Sequence, residues 1–591
     1  MIALLAHRGP DDSGTFTDDG IGLANARLKI VDLEGGHQPM CGEGGEVWVT
    51  FNGEIFNFQA ERTDLETRGH DFKTDCDTEV IVHLYEEFGP SFVNRLNGMF
   101  AFALWDSRSR QLYLARDYAG MKPLYYTIRE ETLYFASEIK SLLFGSPRVC
   151  ESALNDFLLL GYVPDQHTLF DSVSKLRPGQ ILRADRDGIA IWNYGEPLSH
   201  ASSQDGADLK TNLRIRLERA SKDWLMSDVP VGALISGGVD SSLITAFAVQ
   251  QSEKKIRTYT AWFGPGYPNE LAGARITAEW MSTDHSEVLV EESDVIRSLP
   301  RIAWAYDEPL GDAAVVPTFF VTKEAARNVK VVFAGEGSDE LFGGYPWHWI
   351  FHHGGWFYGS QPLQFFRHAP RINSHVIAKA MSIALPGYSL GQRYLAYQAI
   401  FDPEQVARLA PHLREGATKQ VFASILDPIG SSPLRRILEC DTRTRLPESY
   451  LMKADKGSMV NSVEERTPYL DKSLMQFAFG LADKHKVTLT SGKTILRKVA
   501  RDFLPSSTTG RRKRGYGVPV AGWAIGEVGS YMSGLIEKSE LISKVMDARK
   551  VVEIMRNRAI RPYQFWSLGS LALWDETFRP GVAERANRRS I

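Results

Sequence analysis

At 591 residues the chain is too long for one hydrophobic core, and at least two domains are expected. Its 43% hydrophobic and 24% charged content is that of a soluble globular protein, and a net charge of −4 gives no reason to expect nucleic acid or an anionic membrane as partner. Four cysteines without CxxC spacing (Cys41, Cys76, Cys150, Cys440) suggest neither a disulfide framework nor a cysteine zinc site. With no apolar run of membrane-spanning length and no signal peptide, they fit a reducing cytoplasm.

Residues up to about 195 read as strands and turns with few helices. Residues 22–31 and 46–51 are strand-like, and the second run ends in Asn52-Gly53, a hairpin signal. A helix is expected over 78–88, with Asp77 as N-cap and apolar positions at Val80, Ile81, Leu84, Tyr85 and Phe88. Short strands at 99–105, 111–115, 124–128 and 132–136 follow. The set predicts an α+β unit of antiparallel sheets with a helical layer.

Four motifs then stand in order: His7-Arg8-Gly9-Pro10-Asp11-Asp12-Ser13-Gly14, Arg27-Leu28-Lys29-Ile30-Val31-Asp32, Asn52-Gly53-Glu54-Ile55-Phe56-Asn57 and Leu112-Tyr113-Leu114-Ala115-Arg116-Asp117. Together they resemble a class II (Ntn-type) glutamine amidotransferase domain, here spanning 1–195. The resemblance implies that Arg27 and Asp77 hold the carboxylate and amino ends of glutamine. It also implies oxyanion donors at Asn52 and Gly53, with Glu54 part of the same pocket. One departure stands out. That class uses an N-terminal cysteine whose own α-amino group serves as base, whereas position 2 here is Ile and no internal cysteine carries a free α-amino group. The chain as written is therefore not expected to hydrolyse glutamine. Either its start is placed too late, or the domain is an inactive module. Retention of Arg27, Asn52, Gly53 and Asp77 favours the first, and a missing edge strand would leave the sheet with an unpaired side.

A Ser-rich linker is expected at 198–206 and an amphipathic helix at 209–227. Residues 229–235 read as a buried strand and 243–248 as a helix. Between them lies Ser236-Gly237-Gly238-Val239-Asp240-Ser241-Ser242. Glycines admit close backbone approach and a helix N-terminus favours anions, so this turn suits a polyphosphate. No lysine follows as in a Walker A loop, which leaves Asp240 to meet the charge through Mg²⁺. The motif resembles the pyrophosphate loop of N-type ATP pyrophosphatases. Further strands at 256–263 and 329–334, with helices between, predict a doubly wound parallel sheet with a helical C-terminal part, over 207–591.

Three more stretches are expected at the strand ends: Asp307-Glu308-Pro309-Leu310-Gly311-Asp312; Gly335-Glu336-Gly337-Ser338-Asp339-Glu340; and Lys453-Ala454-Asp455-Lys456, followed by residues 463–471. With the loop, they resemble the synthetase domain of bacterial glutamine-dependent asparagine synthetases. The resemblance implies Mg²⁺–pyrophosphate on Asp240 and Asp339, and phosphates cradled by Ser236, Gly237, Gly238, Ser241 and Ser242. Leu234, Ala261 and Gly335 would line the nucleotide pocket, Lys456 would counter charge at the α-phosphate, and Glu336 would take a proton from attacking ammonia. It further implies aspartate, ATP, and glutamine or ammonia as substrates, β-aspartyl-AMP as intermediate, an internal ammonia tunnel, and a homodimer.

An alternative is a related adenylating ligase, of β-lactam synthetase or lasso-peptide cyclase type, that closes a ring on another carboxylate. Those enzymes often lack a working glutaminase; β-lactam synthetases use a Tyr–Glu pair that the sequence does not reveal. A tRNA thiolase is disfavoured by the charge balance and the amidotransferase-like domain, and a non-catalytic scaffold by the intact loop. Two features take plain readings. His348, His352 and His353, in the aromatic stretch 345–370, are expected in a buried aromatic helix cap with no carboxylate beside them. The basic run Arg511-Arg512-Lys513-Arg514 is expected in a loop near the nucleotide.

Overall fold

The computed structural model describes residues 1–145, 147–195, 208–267, 269–354, 387–510, 517–558 and 561–578. The expected linker at 198–206 and basic run at 511–514 lie outside the described residues.

In the N-terminal part, β1 (Asp12–Asp18) pairs antiparallel with β2 (Ile21–Arg27). Next come β3 (Met40–Cys41), β4 (Val47–Ile55), α1 (Phe58–Thr67), α2 (Glu79–Phe88), β5 (Gly98–Asp106) and β6 (Gln111–Arg116). They are followed by β7 (Tyr125–Arg129), β8 (Thr132–Ala136), α3 (Glu151–Leu160), β9 (Ser174–Lys175), β10 (Gln180–Asp185) and β11 (Gly188–Asn193). One antiparallel sheet has the order β11-β10-β6-β5-β4-β3, and β8-β7-β9 form another. The central strand β5 is buried at every position. Its alternation splits it between two cores: Phe100, Phe102 and Leu104 pack with Val80, Ile81 and Leu84 of α2, while Ala101, Ala103 and Trp105 pack with Leu124 and Leu176.

Two local expectations are corrected. Asn52-Gly53 is not a hairpin: β4 runs straight through it, with Asn52 opposite Ala101 and Gly53 opposite Phe100. Gly53 is there because its φ is 144° and a Cβ would overlap the Met99 carbonyl. Nor does Asp77 cap α2. Thr78 holds the N-cap position without a side-chain bond, and the Asp77 carboxylate accepts the Ile55 N–H at 2.8 Å instead. Helices α1 and α3 were not anticipated; α1 buries only Phe58 and Leu65, too few to show a helical stripe.

After Asp208, which caps it, comes α4 (Leu209–Trp224), then β12 (Val231–Leu234), α5 (Val239–Gln251), β13 (Arg257–Trp262), α6 (Leu271–Trp280) and β14 (Asp284–Leu289). There follow α7 (Glu292–Tyr306), α8 (Val315–Ala325), β15 (Val331–Phe333), α9 (Ser338–Phe342), α10 (Pro346–His353) and, much later, β16 (Glu464–Arg466). The strands lie in the order β14-β13-β12-β15-β16, each pair parallel, as the alternation of strands and helices predicts. The order reverses between β12 and β15, the switch point beyond whose carboxyl ends such sheets bind ligands. The polar edge strands β14 and β16 carry too little apolar sequence to have been expected. Leu243, Ile244 and Phe247 of α5 are sealed against Leu213, Leu217 and Trp224 of α4, each side chain contributing about 1.5–3 kcal/mol by burial. The described C-terminal part is helical, and its last described helix, Pro562–Phe578, carries Trp574, whose indole donates to the Asp307 carbonyl at 2.6 Å. No helix among the described residues is long and apolar enough to cross a membrane.

Candidate functional site

Two chambers hold the residues singled out above. The first, a cavity of about 250 Å³, is lined by Arg27, Asn52, Gly53, Glu54, Cys76 and Asp77 among others, with Met1, Ile2 and Leu5 on its wall. Arg27 ends β2. Its Nη2 donates to the Val31 and Asp32 carbonyls at 2.8 and 2.7 Å, while Nη1 is buried without a hydrogen-bond partner among the described residues. A fixed, half-satisfied guanidinium suits a carboxylate. Asp77 is pushed up to about 6, mainly by burial, with the Ile55 N–H opposing and the charge of Glu464 adding. Glu54 lies well above the ordinary carboxylate range through burial and then the charge of Asp77, although its Oε1 is 3.2 Å from Arg466 Nη2. Asn52 Nδ2 reaches Ser137 Oγ at 3.4 Å. Burial raises the Cys76 thiol, so it is no ready nucleophile.

The second chamber is a cleft of about 590 Å³ at the carboxyl ends of β12 and β15. Leu234, Ser236, Asp240, Ser241, Gly335, Glu336 and Asp339 all line it. The loop is wired internally: Ser241 Oγ accepts the Ser236 N–H, and Ser236 Oγ accepts the Gly238 N–H, both at 3.2 Å. Gly237 has φ +71° and a Cβ there would overlap the Gly273 backbone; one on Gly335 would crowd the Ser241 N–H. Ser338 Oγ donates to Asp240 Oδ1 at 2.8 Å.

Two implied contacts point elsewhere. Ser242 is fully buried, its hydroxyl donating to Thr277 Oγ1 at 3.4 Å. Ala261 is half-buried and packs into apolar clusters on β13.

Lys456 is not brought to the cleft. Its ammonium is sealed against Asp307 Oδ2 at 2.7 Å and donates to the Tyr306 carbonyl at 2.9 Å. Lys493 instead pairs with the two cleft carboxylates, its Nζ 2.6 Å from both Asp240 Oδ2 and Asp339 Oδ1. It sits at φ +55° as N-cap of the helix Thr494–Ala500, after Gly492. Gly344 makes the contact feasible, because a Cβ there would overlap both Asp339 and Lys493. The legible signal was Gly492-Lys493-Thr494 heading a helix, the lysine-bearing end of a phosphate loop.

Around Glu336, Lys453 also lines the cleft, its ammonium 3.8 Å from Asp312 Oδ2. Glu465 is raised well above the ordinary carboxylate range by burial and then by the charge of Glu336. At the far wall Tyr345 donates to Glu340 Oε1 at 2.8 Å. Burial, with the charges of Asp339 and Asp441, pushes Glu340 up to about 8.

A file of buried charges runs inward from the first chamber to Lys456. Glu54 meets Arg466, Arg466 meets Glu464 (2.9 Å), Glu464 meets Lys122 (3.2 Å), and Lys122 meets Asp455 (3.5 Å). Asp455 meets Arg8 (2.8 Å), Arg8 meets Glu138 (3.1 Å), Glu138 meets Lys140, and Lys140 meets Asp307 (2.9 Å), the partner of Lys456. Signs alternate along the file, which is how buried charges are tolerated. Arg8 of the His7–Gly14 motif and Asp455 beside Lys456 therefore serve this junction.

The described part of the aromatic stretch, up to Gly354, holds a helix, α10, closed at its start by Tyr345 and His348, and 355–370 lie outside the described residues. Contrary to expectation a carboxylate accompanies it: His348 Nε2 is 2.7 Å from Asp441 Oδ2, which also accepts the Trp347 indole N–H at 2.9 Å. Asp441 lies about ninety residues away in sequence, so no local pattern reveals it.

The model of the asparagine synthase family matches residues 212–576, and that of the glutamine amidotransferase domain matches residues 1–195. Asparagine synthetase [glutamine-hydrolyzing] 1 of Bacillus subtilis (strain 168) is 31% identical, over 97% of this chain and 92% of its own length. A putative asparagine synthetase [glutamine-hydrolyzing] of Mycobacterium tuberculosis H37Rv is 32% identical over the same shares. Amidase chry2 of Gibberella zeae is 29% identical, over 91% of this chain and 87% of its own length. With its parallel sheet, phosphate-type loop and attached glutamine-type pocket, the chain belongs to the glutamine-hydrolysing asparagine synthetase family.

Proposed function

We propose that the chain is an ATP-dependent amide ligase that converts aspartate to asparagine. The observation that carries this reading is the convergence, at the switch point of the sheet, of the Ser236–Ser242 loop with Asp240, Asp339 and Lys493. The β-carboxylate of aspartate attacks the α-phosphorus of ATP, giving β-aspartyl-AMP and pyrophosphate. Ammonia then attacks the acyl carbon, Glu336 takes its proton, and AMP leaves with the bonding electrons of the acyl–oxygen bond. The loop N–H groups hold phosphate oxygens, and Lys493 counters the charge that builds on them. Asp240 and Asp339 present the hard carboxylate oxygens that Mg²⁺ prefers, so this donor set fits the ion. Bound there with pyrophosphate, Mg²⁺ would supply charge neutralisation.

Nitrogen is drawn from ammonia, or from glutamine where a cysteine nucleophile heads the first chamber. Arg27 and Asp77 would hold the two ends of glutamine, and Asn52 and Gly53 its oxyanion. A cytoplasmic homodimer is the setting this reading implies, and sedimentation would read the oligomeric state.

The test is pyrophosphate release with ATP and Mg²⁺, with and without aspartate, and with ammonium or glutamine as nitrogen source. Release that needs aspartate, with asparagine as product, supports the reading; release indifferent to aspartate overturns it. A ring-closing ligase acting on another carboxylate is the second reading, favoured by the Tyr345–Glu340 pair at the cleft wall. Burial, and then Glu340, hold the Tyr345 hydroxyl far above its ordinary range, which suits a fixed donor better than a base.

A further inference from the structure

Away from both chambers, three side chains from separate stretches meet at the outer face of α2: Glu43 from the turn after β3, His70 from the segment after α1, and His83 within α2. One ligand atom from each can be chosen so that all three lie within 4.8 Å of one another. Glu43 Oε1 is 3.6 Å from His70 Nδ1 and 3.7 Å from His83 Nδ1, and Glu86 Oε2, one turn along α2, is 3.4 Å from His83 Nδ1. Two of these separations are too long for hydrogen bonds. They match the edges of a metal tetrahedron, which are about 3.3–3.5 Å for zinc bonds of roughly 2.0–2.1 Å.

His83 supplies an independent sign. Its side chain is 1% exposed, yet neither ring nitrogen has a hydrogen-bond partner among the described residues. A buried imidazole whose two nitrogens face only carboxylates, at ion-pair rather than hydrogen-bond distance, is a setting that a cation can complete. Further carboxylates stand behind both imidazoles at ion-pair distance. Glu79 Oε1 stands 3.6 Å behind His83 Nε2 and is itself pinned by the Lys73 and Thr74 N–H groups at 2.8 Å. Glu87 Oε2 stands 3.6 Å behind His70 Nε2, and Glu43 Oε1 is fixed by the Asp71 N–H at 2.6 Å. Glycine at 42 leaves room for Glu86, since a Cβ there would overlap its carboxylate.

We propose that Glu43, His70 and His83, with Glu86 as fourth ligand, bind one divalent transition-metal ion, zinc in preference to Mg²⁺ or Ca²⁺. Two imidazoles with carboxylates are the donor set of Zn²⁺, whereas the hard cations favour all-oxygen sites. The ion would clip the turn after β3, the segment after α1 and α2 into one piece. Asp77 stands just ahead of α2, so the clip braces the wall of the first chamber from behind.

The test is calorimetric titration of the chelator-stripped full chain with Zn²⁺, alongside melting in the presence and absence of the ion. Expected are one equivalent bound with micromolar or tighter affinity, a raised Tm, and no competition from millimolar Mg²⁺. The double substitution Glu43→Gln and His70→Gln alters the outer, more accessible ligands and should leave metal-free melting unchanged while weakening Zn²⁺ at least tenfold. Absence of stoichiometric binding overturns the proposal, as does binding that the double variant does not weaken. Neither result bears on the ligase reading, because pyrophosphate release is measured separately.

Discussion

Lys456 and Asp307 form an ion pair of 2.7 Å in which neither side chain meets solvent. Breaking such a pair by removing one member leaves an uncompensated buried charge, at a cost of about 3–5 kcal/mol. Lys456→Ala should therefore lower the urea midpoint by that equivalent, while the folded fraction still releases pyrophosphate. If the variant unfolds like the parent but has lost turnover, Lys456 belongs to the chemistry after all.

Lys493 should behave in the opposite way. Lys493→Ala removes the cation between Asp240 and Asp339, and pyrophosphate release with aspartate should fall by about a hundredfold or more. Gly344→Ala, which touches neither substrate nor phosphate, should lose activity too, because the new Cβ displaces Lys493. Steady-state assays of the two variants check this; a fully active Gly344→Ala would show that the lysine is free to reposition.

Glu336→Gln separates the two half-reactions. Pyrophosphate release in the first turnover should persist, since no proton has yet to leave ammonia. Asparagine formation should fall by about 10²–10⁴-fold, the usual worth of a positioned base. Rapid-quench measurement of both products reads the split, and equal loss of both would reassign Glu336 to adenylation.

The first chamber should titrate. Asp77 is raised from 3.8 to about 6, so the folded chain holds a proton there that the unfolded chain has released. Its contribution to stability is thus fully present below about pH 4 and is lost as pH rises through about 6. Asp77→Asn should remove that slope from the pH dependence of the urea midpoint. Glutamine binding needs the ionised form opposite an ammonium, so calorimetric affinity should weaken below about pH 6.

What the sequence revealed was chiefly what is local. The Ser236–Ser242 turn could be placed because an apolar strand, a glycine pair and a helix follow within fourteen residues, and the periodicity of α2 was plain in Val80, Ile81 and Leu84. Long-range chemistry was harder. Lys493 reaches Asp240 across 253 residues, and Lys456 has the same composition nearby but an interior partner. Asn52-Gly53 misled for a related reason. Glycine's positive φ serves a hairpin or a strand pressed against a neighbour's carbonyl equally well, and only the partner strand decides.

The strand β16 has only three residues, yet it borders both chambers. Glu464 lines the first, and Glu465, facing the other way as pleating requires, meets Glu336 in the second. A slip of one position against β15 would exchange the two carboxylates between compartments, because side chains on a strand change face at every residue. β16 is thus a partition whose two faces cannot vary independently: a single inserted or deleted residue just ahead of Glu464 should disable both chambers together.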